Sequence, residues 1–282
     1  MPQLVAFINY LTSGSQCGYH YGDQLTLLTY RVHHPMTADF NRVPVFSDVK
    51  SAYQRLAEVV FKTPLLESPL LNDKTGKRIL VKAECLQVTG AFKFRGAWSA
   101  VSSLSDQEKS RGVLAYSSGN HAQAVAYAAA KHNINATIIM PNDAPELKLR
   151  NTRLYGAEVI QYDRPAGEDR EAIGKQIAEE RGCVLIKPYD NTQVIAGQGT
   201  CGLELAEQTR ALNIDNAEVL VCCGGGGLTS GIALALAHEA PGLTVRPVEP
   251  EHYDDVARSL ASSTRETVNT CLLYTSPSPR DS

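Results

Sequence analysis

Residues 89–97 read TGAFKFRGA, with Lys93 between Phe92 and Phe94. Apolar surroundings disfavour the charged form of an amine and lower its pKa. A neutral lysine attacks carbonyl compounds and forms a Schiff base. Arg95, two places on, is expected to push in the same direction. Taken alone, the stretch also suits a lysine whose stem packs while its head reaches water.

A second stretch, LVCCGGGGLTSG at 220–231, runs from a strand-like segment through Gly224, Gly225, Gly226 and Gly227 into a helix-like one. Glycines leave backbone N–H groups uncovered, and a helix N-terminus adds partial positive charge, so the turn suits a phosphate. No Lys-Ser/Thr pair follows, which removes the P-loop reading. No acidic residue stands about 20 positions on at the end of a next strand, so the dinucleotide fingerprint fits poorly. A plain turn is the alternative, at a cost in glycine's backbone entropy.

A third stretch, SSGNHAQAVAYAAA at 117–130, places Ser117, Ser118, Asn120 and His121 where a strand ends and a helix begins. Ligands of open α/β sheets bind at the carboxyl ends of strands. Hydroxyl and amide groups beside backbone N–H groups suit a carboxylate. Helix capping is the alternative, although a cap needs only one such residue. A phosphate cradle, a carboxylate loop and a hidden lysine are together what pyridoxal 5′-phosphate requires to act on an amino acid.

The elements that must position these groups alternate along the chain. Strands are expected at 78–84, 112–118, 135–141, 157–162, 183–188, 217–223 and 243–250, from β-branched runs bounded by turn residues. Helices are expected at 120–133, 143–156, 167–182, 195–212 and 228–242, several ending at glycine. Such alternation implies βαβ units and largely parallel sheets. The pattern repeats too often for one small sheet. The expected fold is therefore α/β, with two open parallel-sheet domains and a cleft between them.

Composition narrows the function classes. The 282 residues are 43% hydrophobic and 20% charged, enough for a sizeable core. A net charge of −3 gives no support to a nucleic-acid or anionic-membrane partner. No apolar run reaches the length of a membrane span, and the opening MPQLVAFINYL lacks a basic n-region. Seven scattered cysteines without metal-type spacing read as reduced thiols of a cytoplasmic protein. Residues 1–46 read as an extension outside the fold, with a more natural start near Met36. The final CLLYTSPSPRDS, 271–282, reads as an artefactual or disordered tail that truncates the chain.

TGAFKFRGA, SSGNHAQAVAYAAA, IAGQGT and GGGGLTSG, in this order over roughly 47–270, resemble the signatures of the threonine dehydratase and serine racemase family. These are pyridoxal-phosphate enzymes of the tryptophan-synthase-β type. The resemblance implies a large cofactor domain at 47–111 and 193–270, incomplete here, and a small domain at 112–192. It implies that Lys93 carries the cofactor and acts in catalysis, and that Asn120 bonds the 3′-oxygen of its ring. Gly224 to Gly227 with Leu228 would bind the phosphate. Ser117, Asn120 and His121 would receive the substrate carboxylate, and Ser118 would be the racemase-type base on the opposite face. VEPEHYDD resembles a divalent-cation site for Mg²⁺ or a similar ion, with carboxylates from Glu249 and Asp255 and the Tyr253 carbonyl; a solvated acidic turn is the alternative. The implied activity is threonine ammonia-lyase chemistry, the dehydration and deamination of L-threonine or L-serine. Serine or hydroxyaspartate racemisation and an inactive fragment are the alternatives. The family is usually homo-oligomeric. A C-terminal Ser/Gly/Asn segment that faces the pyridine nitrogen in the family has no counterpart in this sequence.

Overall fold

The computed structural model describes residues 3–7, 42–251 and 253–267. The tail expected at 271–282 and most of the extension expected at 1–46 lie outside these. In chain order the elements are β1 (Gln3–Phe7), α1 (Phe46–Leu56), β2 (Leu65–Glu67), α2 (Pro69–Thr75), β3 (Arg78–Lys82) and α3 (Lys93–Ser102). Then come α4 (Asp106–Arg111), β4 (Val113–Tyr116), α5 (Asn120–Lys131), β5 (Ala136–Pro141), α6 (Glu146–Leu154), β6 (Glu158–Tyr162) and α7 (Arg170–Arg181). The last are β7 (Val184–Leu185), α8 (Thr192–Ala211), β8 (Ala217–Cys222), α9 (Gly227–Glu239), β9 (Leu243–Val248) and α10 (Asp255–Ser262).

The strands form two sheets. One has the order β6-β5-β4-β7 and is parallel throughout. The other has the order β2-β3-β1-β8-β9, parallel except for the antiparallel edge strand β2. β4 and β5 are buried at every residue, as expected of parallel strands covered by helices on both faces.

One expectation is corrected here. Gln3–Phe7 lies inside the fold, paired from Gln3↔Arg78 to Phe7↔Lys82 on one side and with β8 on the other. The apolar run LVAF is long enough to complete a ladder, but it is too short, and too poorly bounded by turn residues, to announce itself as a strand. The first helix also begins one residue before the expected boundary at 47. α1 starts at Phe46, where the Asp48 carboxylate accepts a hydrogen bond from the Val45 N–H at 2.8 Å.

Two apolar cores result. α3 and α5 pack on the β4–β7 sheet through Phe94, Val101, Val125, Ile138 and Met140. α8 and α9 pack on the other sheet through Leu205, Val219, Ile232 and Leu236. A chain of rings joins α3 to α5: Phe94 meets Trp98 and Tyr127, each at 5.6 Å. α3 and α8 approach closely because Gly197 has no side chain. A Cβ there would stand 2.5 Å from the Arg95 carbonyl oxygen.

Beneath the first turn of α3 lies a wholly buried ionic cluster. Arg95 and Lys82 have no exposed surface, and Glu84 and Glu204 almost none. Arg95 donates to Glu84 at 2.8 Å through Nε and again through Nη2, and to Glu204 at 2.7 Å through Nη1. Lys82 donates to Glu204 at 2.6 Å and to the Thr63 carbonyl at 2.7 Å. Two cations and two carboxylates make the group neutral, and the hydrogen bonds offset much of the desolvation that burying charge incurs. Burial opposes ionisation of Glu84, but the Arg95 charge and its hydrogen bonds outweigh it and hold that carboxyl below its ordinary pKa. The cluster clamps α3 between β3 and α8, which fixes where Lys93 stands.

Candidate active site

Lys93 is the first residue of α3. The two residues before Ala91 and Phe92 are left-handed, Thr89 at φ 63° and Gly90 at φ 73°. For threonine this conformation is strained, and such strain concentrates at functional turns. The Lys93 amine donates to the Pro188 carbonyl oxygen at 2.7 Å and stands 5.3 Å from the centre of the Phe92 ring. Burial pushes its pKa down to about 8, against a smaller upward pull from the Cys222 thiol. The expectation that Arg95 contributes is corrected. Residues two apart on a helix point to different sides, and Arg95 is turned away into the buried carboxylates.

His121 stands beside this amine. Its Nε2 lies 2.9 Å from the Ile186 carbonyl, which can only accept, so Nε2 carries the proton and Nδ1 is bare. Nδ1 is buried and has no hydrogen-bond partner among the described residues. Burial first, then the Lys93 charge, lower the pKa of His121 to about 3, so the ring is neutral at physiological pH. The turn before it carries Ser117 and Ser118, both half-buried. Ser117 Oγ accepts the Gly119 N–H at 3.2 Å. α5 has Gly119 as its N-cap and no side-chain cap. The capping alternative therefore does not account for these polar residues. The N-terminus of α5 keeps its partial positive charge.

The four glycines follow β8. Gly224 and Gly225 are exposed. Gly226 is left-handed at φ 78° and caps α9 with no side-chain acceptor. Leu228 turns its side chain into the core, so only its backbone faces this turn. A residue absent from the sequence reading sits here: Tyr189, whose ring lies against Gly225. A Cβ at 225 would fall 2.2 Å from Tyr189 Cγ, and one at 227 would fall 2.7 Å from the Tyr189 carbonyl oxygen. Two of the glycines are thus required by packing as well as by any anion. The signal for Tyr189 was its place, directly after a strand whose carboxyl end opens on the site.

Pro188, which receives the Lys93 hydrogen bond, precedes Tyr189. Cys222, which interacts with the same amine, precedes the glycines by two residues. The three stretches therefore meet at the carboxyl ends of β4, β7 and β8. The residues fit pyridoxal phosphate. They offer a desolvated amine, an uncapped helix start after a bare-backbone turn, and a second uncapped helix start for a carboxylate. A family model described as "Pyridoxal-phosphate dependent enzyme" matches residues 56–277. The chain belongs to that family.

Among these pyridoxal-phosphate enzymes, the chain is 50% identical over 228 residues to an L-threo-3-hydroxyaspartate ammonia-lyase of Saccharomyces cerevisiae, covering 81% of this chain and 68% of that protein. It is 46% identical to a serine racemase of Schizosaccharomyces pombe, over 77% of this chain and 66% of the relative. Among solved structures, a threonine deaminase of T.th. superposes with a TM-score of 0.74 at 44% identity, covering 80% of this chain and 72% of that one. The match thus spans about two thirds of the length of the two curated relatives. The fold is the α/β, tryptophan-synthase-β-like arrangement of parallel sheets, and the family consists of lyases and racemases.

The stretch resembling a cation site follows β9. Glu249 is almost buried, and its two oxygens accept the N–H groups of Val256 at 3.0 Å and Ala257 at 2.8 Å, in the first turn of α10. Burial, and then the charges of Asp255 and Asp254, raise its pKa despite those bonds. No cluster of three or more His, Cys, Asp or Glu side chains able to hold a metal occurs among the described residues.

Proposed function

We propose that this chain catalyses the β-elimination of water from a β-hydroxy-α-amino acid, L-threonine or L-serine in the simplest case, yielding a 2-oxo acid and ammonia. The carrying observation is the Lys93 amine, desolvated to a pKa of about 8 and bonded to the segment that packs on the tetraglycine turn. Lys93 would hold pyridoxal phosphate covalently, Asn120 would bond its ring oxygen, and Gly224 to Gly227 with the Leu228 N–H would take the phosphate. When bound, that group supplies an electron-withdrawing ring that stabilises negative charge at the substrate α-carbon.

The chain's own residues do the rest. With its amine free and neutral, Lys93 would accept the substrate's α-proton, its pKa of about 8 lying near physiological pH. Neutral His121 adds no second positive charge beside Lys93, so the amine stays able to take that proton. Ser117 and the first turn of α5 bind the substrate carboxylate through hydroxyl and N–H donors. Loss of the β-hydroxyl as water leaves an enamine, which hydrolyses to the 2-oxo acid.

A second reading is serine or hydroxyaspartate racemisation accompanied by elimination. Its support is Ser118, half-buried beside the carboxylate turn, together with the similarity to a serine racemase and an L-threo-3-hydroxyaspartate ammonia-lyase. A divalent cation held by Glu249, Asp255 and the Tyr253 carbonyl belongs to the proposal, supported by the concentrated negative charge there. So does a cytoplasmic homo-oligomer; the five described cysteines are free, as suits a reducing compartment. No described helix is long and apolar enough to cross a membrane.

The test is spectroscopic and kinetic. Protein loaded with pyridoxal phosphate should show the visible absorbance of a cofactor bound to a protein amine, lost in Lys93→Ala, and should release ammonia from threonine or serine. Ser118→Ala should abolish racemisation and spare elimination from the L-isomer. A colourless protein that still deaminates threonine would refute the scheme.

A further inference from the structure

The first turn of α5 and Ser117 offer a carboxylate N–H and hydroxyl donors, but only about half a positive charge. A carboxylate that leaves water for a half-buried turn needs a full opposite charge to offset its desolvation. The basic groups already placed in the site cannot supply it. His121 is neutral, and Lys93 has to be neutral to accept the α-proton. A third segment brings the missing charge. Lys148 stands in the first turn of α6, which follows β5. β5 runs parallel to β4, with Ile139 beside Tyr116, so α6 starts at the same edge of the sheet as the turn at 117–120.

The Lys148 stem crosses the bare face of Gly119, the N-cap of α5. A Cβ there would lie 3.1 Å from Lys148 Cδ and 3.4 Å from its Nζ. Nζ is therefore within about 5 Å of the Gly119 Cα, one carbon–carbon bond further in. A carboxylate oxygen that accepts from an amide N–H and from an ammonium, each at about 2.8–2.9 Å, spans a gap of that size. The side chain is half-buried, and no hydrogen bond or ion pair joins its ammonium to another described residue. We propose that Lys148 binds the substrate's α-carboxylate together with the start of α5, and supplies the charge that neither His121 nor Lys93 can give. This inference rests on the elimination reading, which brings a carboxylate to that turn. The carboxylate is ionised in the free substrate and stays ionised as the β-hydroxyl leaves. The contact is thus equally strong before and during bond breaking, so it serves binding and not turnover.

The test titrates the cofactor-loaded protein with glycine and with glycinamide, followed by the visible absorbance of the cofactor. Both ligands carry the amine, only glycine carries a carboxylate, and neither has a β-hydroxyl to lose. Lys148→Gln should weaken glycine about 10-fold or more, as expected for one lost charge-assisted contact, and leave glycinamide unchanged. Lys148→Arg should keep most of the glycine affinity. In steady state Lys148→Gln should raise KM for threonine or serine by a similar factor while kcat stays nearly constant. Glycine binding that ignores Lys148→Gln, or no glycine binding by the unaltered protein, would overturn the inference. Equal weakening of glycine and glycinamide would overturn it too, because Lys148 would then only support the turn. A protein whose glycine binding depends on Lys148, but which releases ammonia from no hydroxy amino acid, would instead sink the elimination reading and leave the carboxylate contact standing.

Discussion

Replacing Lys93 with methionine should make the cofactor-free protein more stable at neutral pH, although it removes the residue on which the proposed chemistry depends. The amine has an ordinary pKa of 10.5 and is pushed down to about 8 by burial. A depression of that size corresponds to about 3 kcal/mol against the protonated native state. The unfolded chain binds the proton more readily, so the penalty is fully present below pH 8, shrinks between about 8 and 10.5, and is absent above. Against the gain stands the hydrogen bond to the Pro188 carbonyl, worth roughly 1 kcal/mol. Methionine keeps most of the stem's packing. The net expectation at pH 7 is a stabilisation of roughly 2 kcal/mol. Urea unfolding followed by the single tryptophan, Trp98, which packs against Phe94 and His132, reads this directly. The decisive quantity is the difference between the two proteins as pH rises from 7 to 11, which should fall by about 3 kcal/mol. Parallel stability curves would show that the amine is not desolvated in the native state, and the case for a proton-accepting Lys93 would go with it.

Two other substitutions probe the frame around the site. Arg95→Met strands the Glu84 carboxylate in the core with Thr63 as its remaining partner in the cluster. It should cost about 3–5 kcal/mol in urea unfolding at pH 7, and a loss below about 1 kcal/mol would show that the buried cluster is not cooperative. Gly225→Ala drives a methyl group into the Tyr189 ring, so it should lose roughly 1–3 kcal/mol. Much of that loss should return in Gly225→Ala/Tyr189→Ala, and strictly additive effects in that double-mutant cycle would contradict the contact.

The sequence exposed much of this architecture because the parallel strands are continuous apolar runs. β4, β5, β6, β8 and β9 fall within the expected segments, trimmed at the ends by no more than two residues. The helix expected from 143 starts at Glu146 instead, because Pro145 caps it from outside. The short α2 carried readable signals, Ser68 as cap, Pro69 at the first position and a left-handed Gly76 at the end, yet has too few residues to show a period. The site was legible in part. Phe92 does lie beside the Lys93 amine, whereas Arg95 does not, because helix rotation separates neighbours that the sequence places side by side. Tyr189 and Lys148 reach the turns at 225 and 119 from other segments. No local pattern encodes such meetings, since they are set by how the two sheets and their helices pack.

The way the strands are shared between the sheets bears on how the molecule assembles. The strands of the β4–β7 sheet all lie within residues 113–185, so even its longest-range pairing, Val113↔Val184, closes inside that span. The other sheet must bring β1, Gln3–Phe7, into a ladder with β8, which begins at Ala217, and the Lys82–Glu204 contact also joins distant parts of the chain. Closing so long a loop is entropically slow, and such pairings form late. During synthesis the inner unit can collapse on the ribosome while β1, flanked by β3 on one side, waits with its other edge unpaired for β8 to emerge. That interval, rather than the finished fold, is when this chain is most exposed to aggregation.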